Sequence, residues 1–244
     1  VRILVINPNT TTSMTDKIGR AAQAAASPAT QIVAVNPKDG PPSIEGYFDE
    51  AFVVPGIIAE MARAGAVDAY VIACFDDTGL DAARCAAEAP VIGIGEAAFH
   101  LATLIAGKFS VVTTLARSVP AIEHNLSKYG LASRCAKVRA SDVAVLDLES
   151  PGSDARRKVS AEIARAVRED GAEAIVLGCA GMADLAHALS LEHGVPVLDG
   201  VACAVKLAEA TAALGLRTSK KGGYAFPLAK RFAGHYAPWS PGGG

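Results

Sequence analysis

Fully apolar runs of four to six residues alternate with Ala-rich stretches of helical period along the chain. The first run, "ILVIN" at 3–7, precedes a helical pattern from about Ser13 to Ala26. "QIVAV" at 31–35 leads into a Gly/Pro loop, "NPKDGPPSIEG", and then a helix near 48–64 that Pro55 is expected to break or kink. "AYVIAC" at 69–74 feeds a helix around 80–87, and "PVIGI" at 90–94 feeds another through 96–105. Strands with no polar alternation are buried on both faces. Separated by helices, such strands predict a parallel sheet covered on both sides, an α/β fold.

The pattern then restarts. "KFSVVTT" at 108–114 repeats "RILVINP" at 2–8, an offset of 106 from Arg2 to Lys108. "AIVLGCAG" repeats "AYVIACFD", 105 positions from Cys74 to Cys179, and "VPVLDGVACAVKLA" repeats "APVIGIGEAAFHLA", 106 from Pro90 to Pro196. Three ordered matches at nearly one offset predict an internal duplication. The expected architecture is two similar three-layer parallel-sheet lobes related by a pseudo-twofold, with the active site in the cleft between them. The first lobe is expected over 1–97, completed by 206–244, and the second over 98–205. The tail from about Lys206 has no counterpart in the first half and is expected to pack back on the first lobe.

Charge narrows the function. In 244 residues, Lys and Arg total 23 and Asp and Glu total 25, a net charge of −2 that offers no footprint for nucleic acid or an anionic membrane. No apolar run approaches the ~20 residues of a membrane span. The start reads as a first strand rather than a leader, so the expected setting is cytoplasmic. Five cysteines occur without a CxxC pair or a His at zinc-ligand spacing. That pattern argues against both a disulfide framework and a metal site.

In an open α/β sheet, ligands bind beyond the carboxyl ends of the strands. Cys74 and Cys179 occupy that edge in their respective halves, as do Asn7, Thr113 and Thr114. Each cysteine is expected just before a helix N-terminus, where free N–H groups favour thiolate. Two opposed thiols suit one chemistry well. One thiolate removes a proton from a carbon while the other thiol protonates the opposite face, inverting the centre without a cofactor. Cys85, Cys135 and Cys203 read as small buried hydrophobes. Asn7 and Asn9 either bind substrate or cap the first helix. Ser43, Ile44 and Glu45 either line a pocket or form a surface turn. Asp76 and Asp77 either cap the helix after Cys74 or take part in catalysis, and the two roles do not exclude each other. The five histidines match no motif.

The ordered set "INPNTT" (6–11), "GPPSIEGYFDE" (40–50), "ACFDDTGLDAAR" (73–84), "VVTT" (111–114) and "LGCAGM" (177–182) resembles the aspartate/glutamate/hydantoin racemase superfamily, within it the hydantoin and allantoin racemases. The resemblance spans nearly the whole chain. It implies Cys74 and Cys179 as catalytic acid and base, no pyridoxal phosphate, no metal, and a homo-oligomer acting on a small molecule. Amino-acid racemases of the superfamily carry Asn-Thr after the first cysteine, Thr-His after the second, and an acid ending strand one. This chain has Phe75–Asp76, Ala180–Gly181 and Asn7 there. Losing ionic anchors and gaining Phe75 suits a neutral ring with an apolar substituent. The expected reaction is D/L interconversion of 5-monosubstituted hydantoins by proton transfer at C5. Asn7, Ser43, Ile44, Phe75, Asp76, Thr113, Thr114, Gly178, Ala180 and Gly181 are the candidate substrate-binding residues. Allantoin is the alternative substrate. Aspartate or glutamate racemisation, a decarboxylase or maleate isomerase activity, and a ligand-binding module without turnover stand behind it.

Overall fold

The computed structural model describes residues 1–242 apart from Glu149 and Pro151. Its strands form two four-stranded sheets. β1 (Arg2–Ile6), β2 (Gln31–Val35), β3 (Ala69–Ile72) and β4 (Val91–Gly93) lie in the order β2-β1-β3-β4. β5 (Phe109–Thr113), β6 (Cys135–Ala140), β7 (Ala174–Gly178) and β8 (Val197–Asp199) repeat it as β6-β5-β7-β8. Every pairing is parallel. Identical strand order in the two halves is the structural form of the repeat seen in sequence.

Helices connect the strands: α1 (Thr12–Ala25), α2 (Tyr47–Arg63), α3 (Leu80–Ala86) and α4 (Ile94–Ile105) in the first half, then α5 (Val119–Lys128), α6 (Ala155–Glu169), α7 (Ala186–His193) and α8 (Gly200–Ala213). Period-two alternation sorts the strand side chains into separate cores. In β1, Leu4 and Ile6 face an outer core with Ile57, Met61 and Leu80, while Ile3 and Val5 face a central one. In β7, Ile175 and Leu177 face a second outer core with Val159, Ile163 and Leu189, while Ala174 and Val176 face the same central core. The central core therefore belongs to both sheets. Phe99 and Phe109 stack there at 5.9 Å, fully buried.

The helices in that layer cross over. α4, which leaves the first sheet, packs on β7 and α8, while α8, which leaves the second sheet, packs on β3 and α1. Their first turns meet. A Cβ on Gly200 would stand 2.6 Å from the carbonyl oxygen of Ile94, so only glycine allows the approach.

Pro55 does not break its helix: α2 runs unbroken from Tyr47 to Arg63. The amide it removes would have bonded the carbonyl of Ala51. Both residues are exposed, so water takes that carbonyl. Beyond α8 the tail crosses α3: Thr218 N donates to Glu88 O at 2.8 Å, and Tyr224 Oη to Asp81 Oδ1 at 3.1 Å.

The Gly200 contact predicts that Gly200→Ala destabilises the fold by about 1–3 kcal/mol. Gly223→Ala, whose Cβ would meet nothing, should change stability by less than about 0.5 kcal/mol. Urea unfolding of both variants checks the difference.

Candidate active site

The carboxyl ends of β1, β3, β5 and β7 open on one cavity of about 40 Å³. The first half lines it with Asn7 and Asn9 after β1, Met14 of α1, Ile44 of the Gly/Pro loop, and Ala73 to Asp76 after β3. The second half contributes Thr114 and Ser118 after β5, Val145, and Gly178 to Ala180 after β7. Cys74 and Cys179 thus share one cavity, one from each half.

The two thiols sit in matching turns. Ala73 N continues the ladder to Ile6 O at 2.8 Å, and the chain then turns so that Asp77 N reaches Cys74 O at 3.0 Å. After β7, Met182 N reaches Cys179 O at 3.1 Å. In both turns the amide two residues on favours the thiolate of the cysteine: that of Asp76 at Cys74, that of Gly181 at Cys179. Cys74 Sγ also lies 3.5 Å from Thr78 Oγ1. Burial pushes the Cys74 thiol far up, and the charge of Asp76 adds to the shift. Burial pushes Cys179 up to about 11, opposed by the Gly181 amide and the Lys17 charge.

One expectation about these turns is corrected. A 3-10 segment (Ala180–Leu185) begins directly after Cys179, but no helix begins at Cys74. α3 starts only at Leu80, because Asp77 at φ 51° and Gly79 at φ 74° turn the chain first. At Cys74 the Asp76 amide and the Thr78 hydroxyl, rather than a helix end, oppose the effect of burial.

Asp77 does not cap α3 either. Its Oδ1 accepts from Gly95 N at 3.0 Å and its Oδ2 from Glu96 N at 2.8 Å, so it caps α4. Tyr129, directly after α5, donates its hydroxyl to the same carboxylate at 2.8 Å, and Asn125 Nδ2 donates to Asp76 O at 2.7 Å. The Cys74 turn is therefore pinned to α4 and α5, both of which pack on the second sheet. Asp76 points into the cavity, its carboxyl pushed up to about 7 by burial, then by the charges of Glu50 and Asp77. Glu50 Oε1 is buried and finds no hydrogen-bond partner among the described residues.

Asn7 is 1 % exposed, and its Nδ2 donates to Asn9 Oδ1 at 2.9 Å and Thr15 Oγ1 at 3.0 Å. Asn9 Oδ1 accepts from Thr11 N at 2.9 Å. Both asparagines line the cavity and order the entry to α1 at once. Three candidates lie outside the lining. Thr113 turns its hydroxyl to Gly178 O at 2.9 Å, tying β5 to β7. Ser43 stays in the loop beside Ile44, and Gly181 stands behind Cys179, against Leu148. Met14, Ser118 and Val145 line the cavity without any sequence signal; they arrive from three separate elements and only packing assembles them. Cys203 sits in the central core, and Cys85 Sγ donates to Gly223 O at 3.3 Å, far from the cavity lining. Among the described residues, no group of three His, Cys, Asp or Glu is arranged to hold a metal ion, and no helix is long and apolar enough to cross a membrane.

The family model of Asp/Glu/Hydantoin racemase matches residues 3–208. The chain belongs to that family. It is a racemase, and so an isomerase. A hydantoin racemase of Rhizobium meliloti is 53% identical over 96% of this chain and 98% of its own. An allantoin racemase from Klebsiella pneumoniae superposes with a TM-score of 0.95 at 51% identity, covering 99% of each chain. An allantoin racemase from Pseudomonas fluorescens gives 0.93 at 43% identity, covering 96% of this chain and 100% of the other.

In this racemase, Asp77→Ala leaves Gly95 N, Glu96 N and the Tyr129 hydroxyl unpartnered, and is expected to cost about 2–4 kcal/mol. Tyr129→Phe removes one donor only and should cost about 1 kcal/mol. Chemical denaturation of the two variants checks the order.

Proposed function

We propose that the chain interconverts the D and L forms of 5-monosubstituted hydantoins, with Cys74 and Cys179 as the two proton carriers. The observation that carries this reading is one cavity holding a thiol from each half in pseudo-symmetric turns. One sulfur, as thiolate, takes the C5 hydrogen as a proton. The electron pair left on C5 delocalises onto the adjacent ring carbonyl oxygen as an enolate. The other thiol then protonates C5 on the opposite face and is left as the thiolate, so the sulfurs exchange roles and the stereocentre is inverted. Nothing is consumed. Burial raises the energy of a thiolate and so its basicity toward a weak carbon acid, which suits this step.

A cavity of about 40 Å³ holds a few waters and not a substituted hydantoin. The reading therefore requires the 40–46 loop to swing aside. Gly40 and Gly46 bound that loop at φ 139° and 135°; Thr10 N and Thr11 Oγ1 hold its start through Pro41 O and Pro42 O, and Val145 N to Glu45 Oε1 at 3.2 Å ties its end to the second half. Phe75 and Ile44 then offer apolar contact to the C5 group.

Allantoin is the second reading, favoured by Asp76. Its carboxylate in the cavity, with Glu50 behind it, suits the N–H donors of a ureido substituent better than an alkyl group. Initial rates with allantoin and with an alkyl hydantoin, for the unmodified chain and Asp76→Asn, separate the two.

We also propose a homo-oligomer in the cytoplasm. Its support is the exposure of Phe48 (78%) and Phe52 (61%) on α2 beside Trp239 (38%), and five free cysteines. Light scattering on a sizing column reads the mass against one chain of 24.9 kDa.

Polarimetry tests the mechanism. Cys74→Ala and Cys179→Ala should each lose about 10²–10⁴-fold in racemisation. In D2O each should still exchange deuterium into one enantiomer, and the two variants should prefer opposite enantiomers. Racemisation at close to the unmodified rate in either variant would sink the two-thiol reading. A pH profile adds a check of sign. Below its raised pKa a thiol gains thiolate as pH rises, so kcat/KM should climb between about pH 7 and 9 rather than fall.

A further inference from the structure

Lys17 stands on α1 in the first half, yet its ammonium group ends in the second. Nζ donates to Gly181 O at 2.6 Å and pairs with Asp184 Oδ1 at 2.9 Å. The lysine side chain is 15% exposed and that of Asp184 56%, so solvent weakens the pair and leaves much of the lysine charge directed at the Gly181 turn. Gly181 lies against the sulfur, where a Cβ would stand 3.6 Å from Cys179 Sγ, and its amide favours the Cys179 thiolate. Fixing its carbonyl holds the peptide plane that follows it and so steadies the turn in which the sulfur sits.

The matching position in the other half carries the opposite charge. Cys179 and Gly181 correspond to Cys74 and Asp76 at the offset of 105. Where one turn is tied to a cation, the other presents a carboxylate to its own thiol, with Glu50 behind. The two turns share the backbone bond that closes on the cysteine carbonyl, and the charges beside them are opposed.

We propose that Lys17 is a positioning residue that holds the Gly181 turn from across the cleft and, with Asp76 facing the other sulfur, makes Cys179 the first thiol to give up its proton while Cys74 rests as the donor. This rests on the two-thiol reading above. The charged groups facing Cys179 are Lys17, Asp76 across the cavity and Glu45 of the loop, with Asp184 bound to Lys17. Those facing Cys74 are Asp76 and Glu50, with the Thr78 hydroxyl the nearest neutral donor. Burial raises both thiols, Cys74 the further.

Turnover does not report this asymmetry. Two enantiomers have equal free energy, so kcat/KM is the same in both directions whichever sulfur holds the proton. Thiol chemistry does report it. Access scales an alkylation rate at every pH, whereas ionisation sets the pH at which the rate rises. The test is therefore the pH dependence of initial iodoacetamide labelling of each cysteine, read by peptide mass spectrometry on the substrate-free protein. Labelling of Cys179 should rise at lower pH than labelling of Cys74. Lys17→Met should move the Cys179 rise upward by about one pH unit and leave Cys74 in place. Lys17→Arg should restore most of the shift, and circular dichroism confirms that both variants are folded. Should Lys17→Met misfold, Asp76→Asn gives the converse reading: the Cys74 rise moves down. Cys74 rising at or below the pH of Cys179, or no shift in Cys179 on loss of the Lys17 charge, overturns the proposal. Alanine variants that still racemise would instead remove the two-thiol reading and leave the ordering of the thiols standing.

Discussion

The contact between the first turns of α4 and α8 is the constraint on which the site depends. Two sheets with the same strand order form a shared cleft only if something fixes one against the other. Here each sheet sends its last helix to the neighbour, and the helix starts touch at Gly200 and Ile94. The central core that results is common to both sheets, so the halves cannot rock apart without exposing apolar surface. Rigid registration of the lobes matters because opposed proton transfer requires both sulfurs to address one carbon, and a small misplacement of either is costly.

The Cys74 turn is then tied to that junction. Asp77 caps α4 and accepts from Tyr129, while Asn125 holds the carbonyl of Asp76. A Cβ on Gly93 would lie 2.1 Å from Asp77 Oδ1, and one on Gly95 2.4 Å from Phe75 O. Two glycines at the start of α4 thus make room for the turn. The left-handed conformation of Asp77 is a local cost that three hydrogen bonds to its carboxylate offset. The second turn is held within its own half through Thr113 on Gly178, and from the first half through Lys17 on Gly181. Each thiol is held in part by the opposite lobe.

The apolar runs and the repeat at a nearly constant offset made the two parallel sheets, their likeness and the edge carrying both cysteines legible in the sequence; the strand order was not. What escaped was set by distance along the chain. The capping partner of Asp77 is eighteen residues away at Gly95 and belongs to another helix. Local propensity put Asp77 on α3, the nearest helix, whereas packing put it on α4. Thr113 reads as a cleft residue because it ends a strand, but a hydroxyl one bond from the backbone closes on the neighbouring strand first. Met14, Ser118 and Val145 carry no chemistry that a pattern can flag. Pro55 marks a break by rule, yet the acceptor it orphans faces water and the helix continues.

Duplication explains how such a site arises, and its imperfections explain how it works. A pair of turns with the same hydrogen-bond pattern brings two thiols to one cavity, the arrangement that the proposed inversion needs. Perfect symmetry would give two thiols of equal acidity, each as ready as the other to hold the proton. Asp76 in one turn where the other has glycine, and the tie of the Gly181 turn to Lys17, break that equality. The same carboxylate lines the cavity and raises the Cys74 thiol. The proposed reading therefore couples substrate preference and proton distribution at Asp76, so that a change there is expected to alter both together.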